Sequence, residues 1–260
     1  MKESIFKKIE LSIRLKAMAL HFLITLIVAG IAASLVFWLW FPYPFNQMLG
    51  GLELFSLVIA CDIILGPLIS LVIYNRKKPR KLLLRDYAIV GLIQLTALSY
   101  GLHMVTATRP AFVVLAVDRL EVISAGELNT QDLQQASQPE WQNLSWTGPR
   151  FVWAESPTNQ QDRNELLFSG LVGKDLAYLP RYYRDYSEGK AQLLSRAQPL
   201  DVLYQNHPQA RTLIDEAVAA SGKKPAQLRW LPVRHIRGFW TVLVNADSAL
   251  PVAWLELDPY

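Results

Sequence analysis

Asp62 is the residue of this chain whose type and position most invite chemistry. It falls near the middle of an apolar run, Leu52–Tyr74, one helical turn before Gly66-Pro67. An ionisable group at that depth is expensive in lipid and normally faces protein or water. A lone carboxyl there has three uses. It can hydrogen-bond locally in its neutral form and fix helix packing, it can contact a partner's transmembrane helix, or it can relay protons. Pro67 would remove a helical N–H, free a carbonyl near position 63 and kink the helix. Gly66 and Ser70 form a small-residue pair at the spacing that lets helices approach closely. Asp62, Gly66, Pro67 and Ser70 are therefore the candidate intramembrane contact. Glu53 lies at the outer end of the same run and His103 near the outer end of a later one, with Gln94 deeper. Groups at such different depths make a poor joint catalytic site.

The C-terminal part offers less chemistry. Gly170-Leu171-Val172-Gly173-Lys174-Asp175 resembles a phosphate loop, but its spacing is short and Asp175 stands where Ser or Thr is required, so a turn is expected. Only His207 and His235 are available there and no cysteine, so neither a zinc site nor any other metal or cofactor is expected. No Gly-x-Ser-x-Gly elbow occurs, and no enzyme activity is expected. Asp162 and Glu165 are carboxylates at helix spacing, as on any solvated face. Tyr178, Tyr182, Tyr183 and Tyr186 flank Arg181 and Arg184. The group Tyr178, Arg181, Tyr182, Tyr183 and Tyr186 is a candidate contact patch. The alternative is ordinary core plus rim.

Membrane spans must position Asp62. A helix crosses the hydrocarbon core with about 20 mainly apolar residues. Ala17–Phe41 meets that length with only His21, Thr25 and Ser34 as polar residues, and Leu52–Tyr74 and Tyr87–Ala107 follow. Small residues at 29–33 resemble a signal cleavage region, but the apolar run continues to Phe41, so the first span is expected to stay uncleaved. Trp38, Trp40 and Tyr43 suit an interfacial belt, and Pro42 and Pro44 end the helix. Residues 1–16 form a basic segment in which Ile5, Phe6, Ile9 and Ile13 share a stripe. It is either an amphipathic helix on the inner leaflet or a plain topology anchor. Cys61, the only cysteine, excludes an intrachain disulfide and reads as a small apolar packing residue.

Charge sets the orientation. Residues 1–109 hold 12 Lys/Arg against 5 Asp/Glu, and residues 110–260 hold 14 against 17. Basic residues before the first span and along Asn75–Lys81 and Arg85 mark those segments as cytoplasmic, while the loop Pro42–Gly51 has no charge at all. The N-terminus is then inside and the domain of residues 108–260 outside. That domain is mildly acidic, which argues against nucleic acid as a partner.

Residues 108–260 read as α+β. Strands are expected at 111–117, 120–123, 228–236, 239–245 and 252–257, with turns at Gly238 and 246–248. Helices are expected near 131–136, 163–171, 187–194, 199–204 and 208–220, the last opened by Pro208 and closed by Gly222. The expected whole is three transmembrane helices followed by an α+β domain with one mainly antiparallel sheet of about five strands.

These ordered residues resemble the TfpX/TfpZ type of type IV pilin accessory proteins. The likeness is carried by Phe6-Lys7-Lys8 through Ala17, by Asp62-Ile63-Ile64-Leu65-Gly66-Pro67-Leu68, and by Arg85-Asp86 through Gln94 with Tyr100-Gly101. It continues at Arg109-Pro110, Val117-Asp118-Arg119, Gly173-Lys174-Asp175-Leu176, and Leu179-Pro180 with Tyr183 and Tyr186. It covers the whole chain and loosens after about Ala191. It implies an inner-membrane accessory of pilus biogenesis that binds type IV pilin or the assembly machinery and modulates pilus display, with the bilayer as its other partner. A contact in the membrane and one outside would raise effective concentration without either being strong. The competing reading is a membrane-anchored extracytoplasmic sensor or ligand-binding module.

Overall fold

The computed structural model describes residues 2–75, 78–171 and 173–260, with the backbone alone for residues 2–10. The chain forms two compact units, Met1–Trp40 with Gly50–Ala107, and Phe41–Leu49 with Thr108–Tyr260.

The first unit holds three helices long and apolar enough to cross a membrane. α1 spans Lys2–Leu35 and continues through a π-helical turn, Val36–Trp40, before Pro42 forbids more. The expected N-terminal segment is thus the first part of a single long helix. Of its apolar stripe, Ile13 is half-buried, and Ile5, Phe6 and Ile9 lie outside the described side chains. α3 covers Gly51–Ile73 and α4 Arg80–Thr108. Leu23, Ile27, Leu57, Leu65, Leu92 and Ile93 point outward, as a lipid-facing surface requires. Cys61 is also exposed rather than packed inside. Of the basic connection after α3, Arg76 and Lys77 lie outside the described residues, and Lys78 pairs with Asp86 at 2.8 Å.

The second unit is built on one sheet with strand order β4-β3-β1-β2-β6-β7-β8, and β5 pairs with β6. The strands are β1 Pro110–Ala116, β2 Arg119–Ser124, β3 Arg150–Ala154, β4 Tyr183–Asp185, β5 Gln198–Pro199, β6 Leu228–His235, β7 Gly238–Asn245 and β8 Pro251–Leu255. The sheet is mixed, which corrects the mainly antiparallel expectation. β1 runs parallel to β3, and β2 parallel to β6. Both pairings join segments far apart in sequence, and parallel neighbours need long crossovers. Helices supply them: α5 Thr130–Leu133 before β3, then α6 Gln160–Leu171, α7 Lys190–Arg196, α8 Leu200–Asn206 and α9 Arg211–Ser221 before β6. Gly222, at φ 64°, closes α9 in the left-handed conformation.

Two apolar clusters cover the sheet. Phe112, Val114, Ile123 and Val152 pack against Leu133, Trp141 and Leu176. Leu203 and Ile214, from α8 and α9, pack on Leu228, Trp230 and Leu243. β1 is buried at every position, because its alternate residues face opposite layers and both are covered. Gly189 allows the close approach behind it, since a Cβ there would lie 2.9 Å from Leu115 Cδ2.

The segment between the first two spans belongs to this unit. Within it, the short helix α2 covers Phe45–Met48. Phe41, Phe45, Met48 and Leu49 are buried, and the Phe45 ring sits 5.6 Å from that of Trp254. His235, at the end of β6, is buried beside this segment. Burial holds its pKa below the ordinary 6.5, Arg237 acts in the same direction, and the Met48 backbone pushes back upward. The unfolded chain therefore takes up a proton before the folded one does. Stability is fully present above about pH 6.5 and falls as pH drops from there through the folded pKa. In urea unfolding of the detergent-solubilised chain, the wild-type midpoint should fall relative to that of His235→Gln between about pH 7 and about pH 5. Parallel curves would exclude His235 as a source of acid sensitivity.

Candidate functional site

His21, on α1, is the centre of a polar network inside the three-helix unit. Its Nδ1 hydrogen-bonds with the Ser70 hydroxyl of α3, and its Nε2 lies 2.9 Å from Gln94 Oε1 of α4. With Gln94 Oε1 as acceptor, Nε2 carries the ring proton and Nδ1 accepts from Ser70. Gln94 Nε2 in turn donates to the backbone oxygen of Asp62 at 3.4 Å. The sequence pointed to a freed carbonyl near 63; the side-chain donor reaches the one just before it. One residue from each span therefore meets the others through side chains, and all three helices are tied in register.

The small residues serve this network. Gly66, Pro67 and Ser70 are buried. A Cβ at 66 would collide with the Gln94 amide and lie 3.2 Å from His21 Nε2. Gly66 and Ser70 thus face the chain's own spans. Asp62 differs. It is half-exposed, and among the described residues no hydrogen bond or ion pair engages its carboxyl. It lines a groove of about 220 Å³ with His21, Thr25, Gly91, Gln94 and Leu98. A second apolar groove of about 350 Å³, lined by Leu20, Tyr74 and Tyr87, shares His21, Ile24 and Gly91 with it. Glu53 and His103 are exposed and join neither groove.

In the sheet-containing unit the tyrosines go inward. Tyr183 is fully buried, and Tyr182 and Tyr186 nearly so. Tyr183 donates its hydroxyl to Ala177 O at 2.6 Å, and Tyr186 to Ala249 O at 3.1 Å. Burial raises the pKa of both phenols well above the ordinary range. Tyr178 is half-buried, and burial together with the neighbouring Glu127 and Glu121 carboxylates pushes it up to about 12. Arg181 is partly exposed and pairs with Glu165 at 3.1 Å. Of the five residues, then, Tyr178 and Arg181 reach solvent and the other three build core. Of the Gly170–Asp175 stretch, Gly170 and Leu171 end α6, Val172 lies outside the described residues, Gly173 is a turn residue at φ 81°, and Lys174 pairs with Asp132. Among the described residues, no group of three His, Cys, Asp or Glu could hold a metal ion.

Sequence reasoning missed Glu121. An alternating strand places it outward, yet it is 3% exposed. β2 is central, and Glu121 lies in register with Arg234 of the parallel β6. Its carboxylate lies 3.3 Å from Arg119 Nε and 3.6 Å from an Arg234 nitrogen. Burial raises its pKa, while Arg234 and Arg119 pull it down. His21 was missed as a network centre, because its partners are 49 and 73 residues away.

Three helices long and apolar enough to cross a membrane, joined by a polar network and followed by a mixed-sheet unit, mark this as a membrane protein with a substantial sheet-containing domain. Comparison with known proteins places it more narrowly. The family model for FimB, fimbrial assembly protein, matches residues 9–50. The chain is 31% identical over 248 residues to the fimbrial assembly protein of serogroup I of Dichelobacter nodosus, covering 94% of this chain and 95% of the relative. The serogroup E1 protein of the same organism is 30% identical over 247 residues, covering 94% and 95%. The protein of serogroups C1 and C2 is 34% identical over 121 residues, covering 46% of this chain and 92% of the relative. No solved structure matches. The chain belongs to the FimB family of fimbrial assembly proteins. Residues 9–50 take in most of α1, with His21, and the apolar segment that belongs to the sheet-containing unit.

Proposed function

We propose that this protein is an inner-membrane accessory of type IV pilus biogenesis, of the TfpX/TfpZ kind, that binds pilin or the assembly machinery and modulates how many pili are displayed. It acts by binding rather than by catalysis. The observation that carries this reading is the likeness to fimbrial assembly proteins along both units of the chain. The groove with an unengaged Asp62 carboxyl supports a contact inside the membrane. A partner's helix lying there could give a hydrogen bond to that carboxyl. Intramembrane hydrogen bonds are worth about 0.6 to 2 kcal/mol, enough to bias association without being needed for folding.

Surface pilus number tests this. A strain lacking the gene should display altered pilus numbers, restored by the wild-type gene. Asp62→Asn keeps a donor and an acceptor and should restore them; Asp62→Leu should insert normally and fail to. Failure of both would point to charge or proton transfer. Full activity of both would remove Asp62 from the mechanism.

Orientation follows from the basic segments. That Phe41–Leu49 and Thr108–Tyr260 form one unit supports a common side of the membrane for both, and the uncharged first loop favours the periplasm as that side. A reporter fused after Leu84 should read as cytoplasmic and one after Tyr260 as periplasmic; a reversal at either point defeats the topology.

A further inference from the structure

Trp146 is 67% exposed, on a loop that carries no charged residue from Trp141 to Pro149. An exposed apolar residue alone says little. Its position does. Two points within the sheet-containing unit hold this loop. The Arg109 guanidinium lies over the Trp146 ring, 5.2 Å from its centre, and Arg109 Nε donates to Ser145 O at 3.3 Å. Gly148 packs against Pro42. A Cβ there would lie 3.2 Å from Pro42 Cγ, and its φ of 65° suits glycine as well. Both holding points are close chain neighbours of the spans. Pro42 is the second residue after the first apolar helix, Leu11–Trp40, and Arg109 is the first after the third, Arg80–Thr108. Chain connectivity therefore sets the height of the loop: it is pinned at the two places where the chain leaves the lipid. Tyr43, next to Pro42, is 69% exposed.

We propose that this loop is a membrane-surface anchor, in which Trp146 enters the interfacial layer of the bilayer beside the first and third spans, with Tyr43 as a second interfacial ring. The occupant of this face is the phospholipid interface, because the residues that hold the loop are the ones that leave the lipid. The chemistry fits that solvent. Tryptophan and tyrosine concentrate at headgroup level, where a large ring escapes water without entering the hydrocarbon centre. The uncharged loop has no ion to desolvate on approach. Arg109 holds the indole in place, which reduces the side-chain freedom lost on insertion. The two chain connections already keep the loop at the surface, so weak insertion suffices to add a third attachment for the domain. The anchor rests on the helices crossing a membrane and not on pilin as partner.

The test uses the full chain in nanodiscs of phosphatidylcholine and phosphatidylglycerol. Cys61→Ser removes the native thiol, and Thr147→Cys carries a nitroxide at an exposed neighbour that leaves Trp146 in place. Oxygen concentrates in lipid and a nickel chelate in water, so the ratio of their collision rates with the nitroxide reads its depth. That ratio should be about tenfold above the ratio for the free label in buffer, as interfacial placement requires. Adding Trp146→Ser should lower it about threefold or more, and Trp146→Phe, which keeps an apolar ring, should lower it less. A ratio equal to that of the free label, or one unchanged by Trp146→Ser, would overturn the proposal. So would shielding of the nitroxide from both reagents, which would assign the loop to a protein contact.

Discussion

Replacing Tyr183 with alanine is expected to destabilise the sheet-containing unit by about 3–5 kcal/mol, the range for truncating a buried aromatic residue. The residue is fully buried, its ring centre lies 5.2 Å from that of Phe112, and its hydroxyl donates to Ala177 O. Its backbone pairs with Ala154 at the sheet edge, and its carbonyl accepts from Ser137 Oγ. Truncation would open a cavity between the sheet and the segment before β4 and would orphan a buried carbonyl. Domains have about 5–15 kcal/mol in total, so the loss is a large fraction of it. Tyr183→Phe keeps the ring and removes only the hydroxyl, at about 1–3 kcal/mol for the acceptor left behind. Urea unfolding of the full chain in detergent, followed by tryptophan fluorescence, should rank wild type, phenylalanine and alanine in that order. An alanine variant as stable as wild type would mean that this tyrosine is rim and not core.

Gly101→Leu is expected to be the most damaging change among the spans. A Cβ at 101 would lie 2.8 Å from Val58 Cγ2 and 3.2 Å from Val58 Cβ. Valine has little rotamer freedom in a helix, so it cannot move aside and α3 and α4 must separate. Overpacking costs about 1–3 kcal/mol where a core can yield, and helix association in lipid depends on this kind of close approach. The double variant Gly101→Leu with Val58→Ala should recover much of the loss. Gly30→Ala should be nearly silent, since nothing lies within 4 Å of a Cβ there. Thermal unfolding by far-ultraviolet circular dichroism distinguishes these; equal loss from Gly101→Leu and Gly30→Ala would deny the α3–α4 contact.

How far the sequence carries the fold depends on how local each signal is. The spans are legible because each is a continuous apolar run, and β6 and β7 because a two-residue turn before Gly238 joins alternating strands. β3 has no such cue. It is five residues long, and its partner β1 lies over thirty residues earlier. That parallel pairing is why a mainly antiparallel sheet is the wrong inference. The segment Phe41–Leu49 reads as a plain loop between spans, although Phe45, Met48 and Leu49 are more apolar than a solvated loop needs. Asp62 and Gly66-Pro67 stand out in the sequence because they break rules for lipid. Their use does not: Gly66 and Ser70 pack against the chain's own His21 and Gln94, and only Asp62 is left facing a groove. The tyrosine group shows the same limit, since composition cannot tell a buried ring from an exposed one.

Contact with pilin, as proposed above, is read most directly at the membrane groove. A photo-crosslinking amino acid placed at Leu95, which lines the groove, can be compared with one at Ile93. Two residues apart on a helix they point about 200° from each other, so Ile93 reports the opposite face. In cells making pili, irradiation should yield a pilin adduct from position 95 and not from position 93. Adducts of equal yield from both faces, or a groove position that captures only lipid while surface pilus number is unchanged by loss of the gene, would contradict the account.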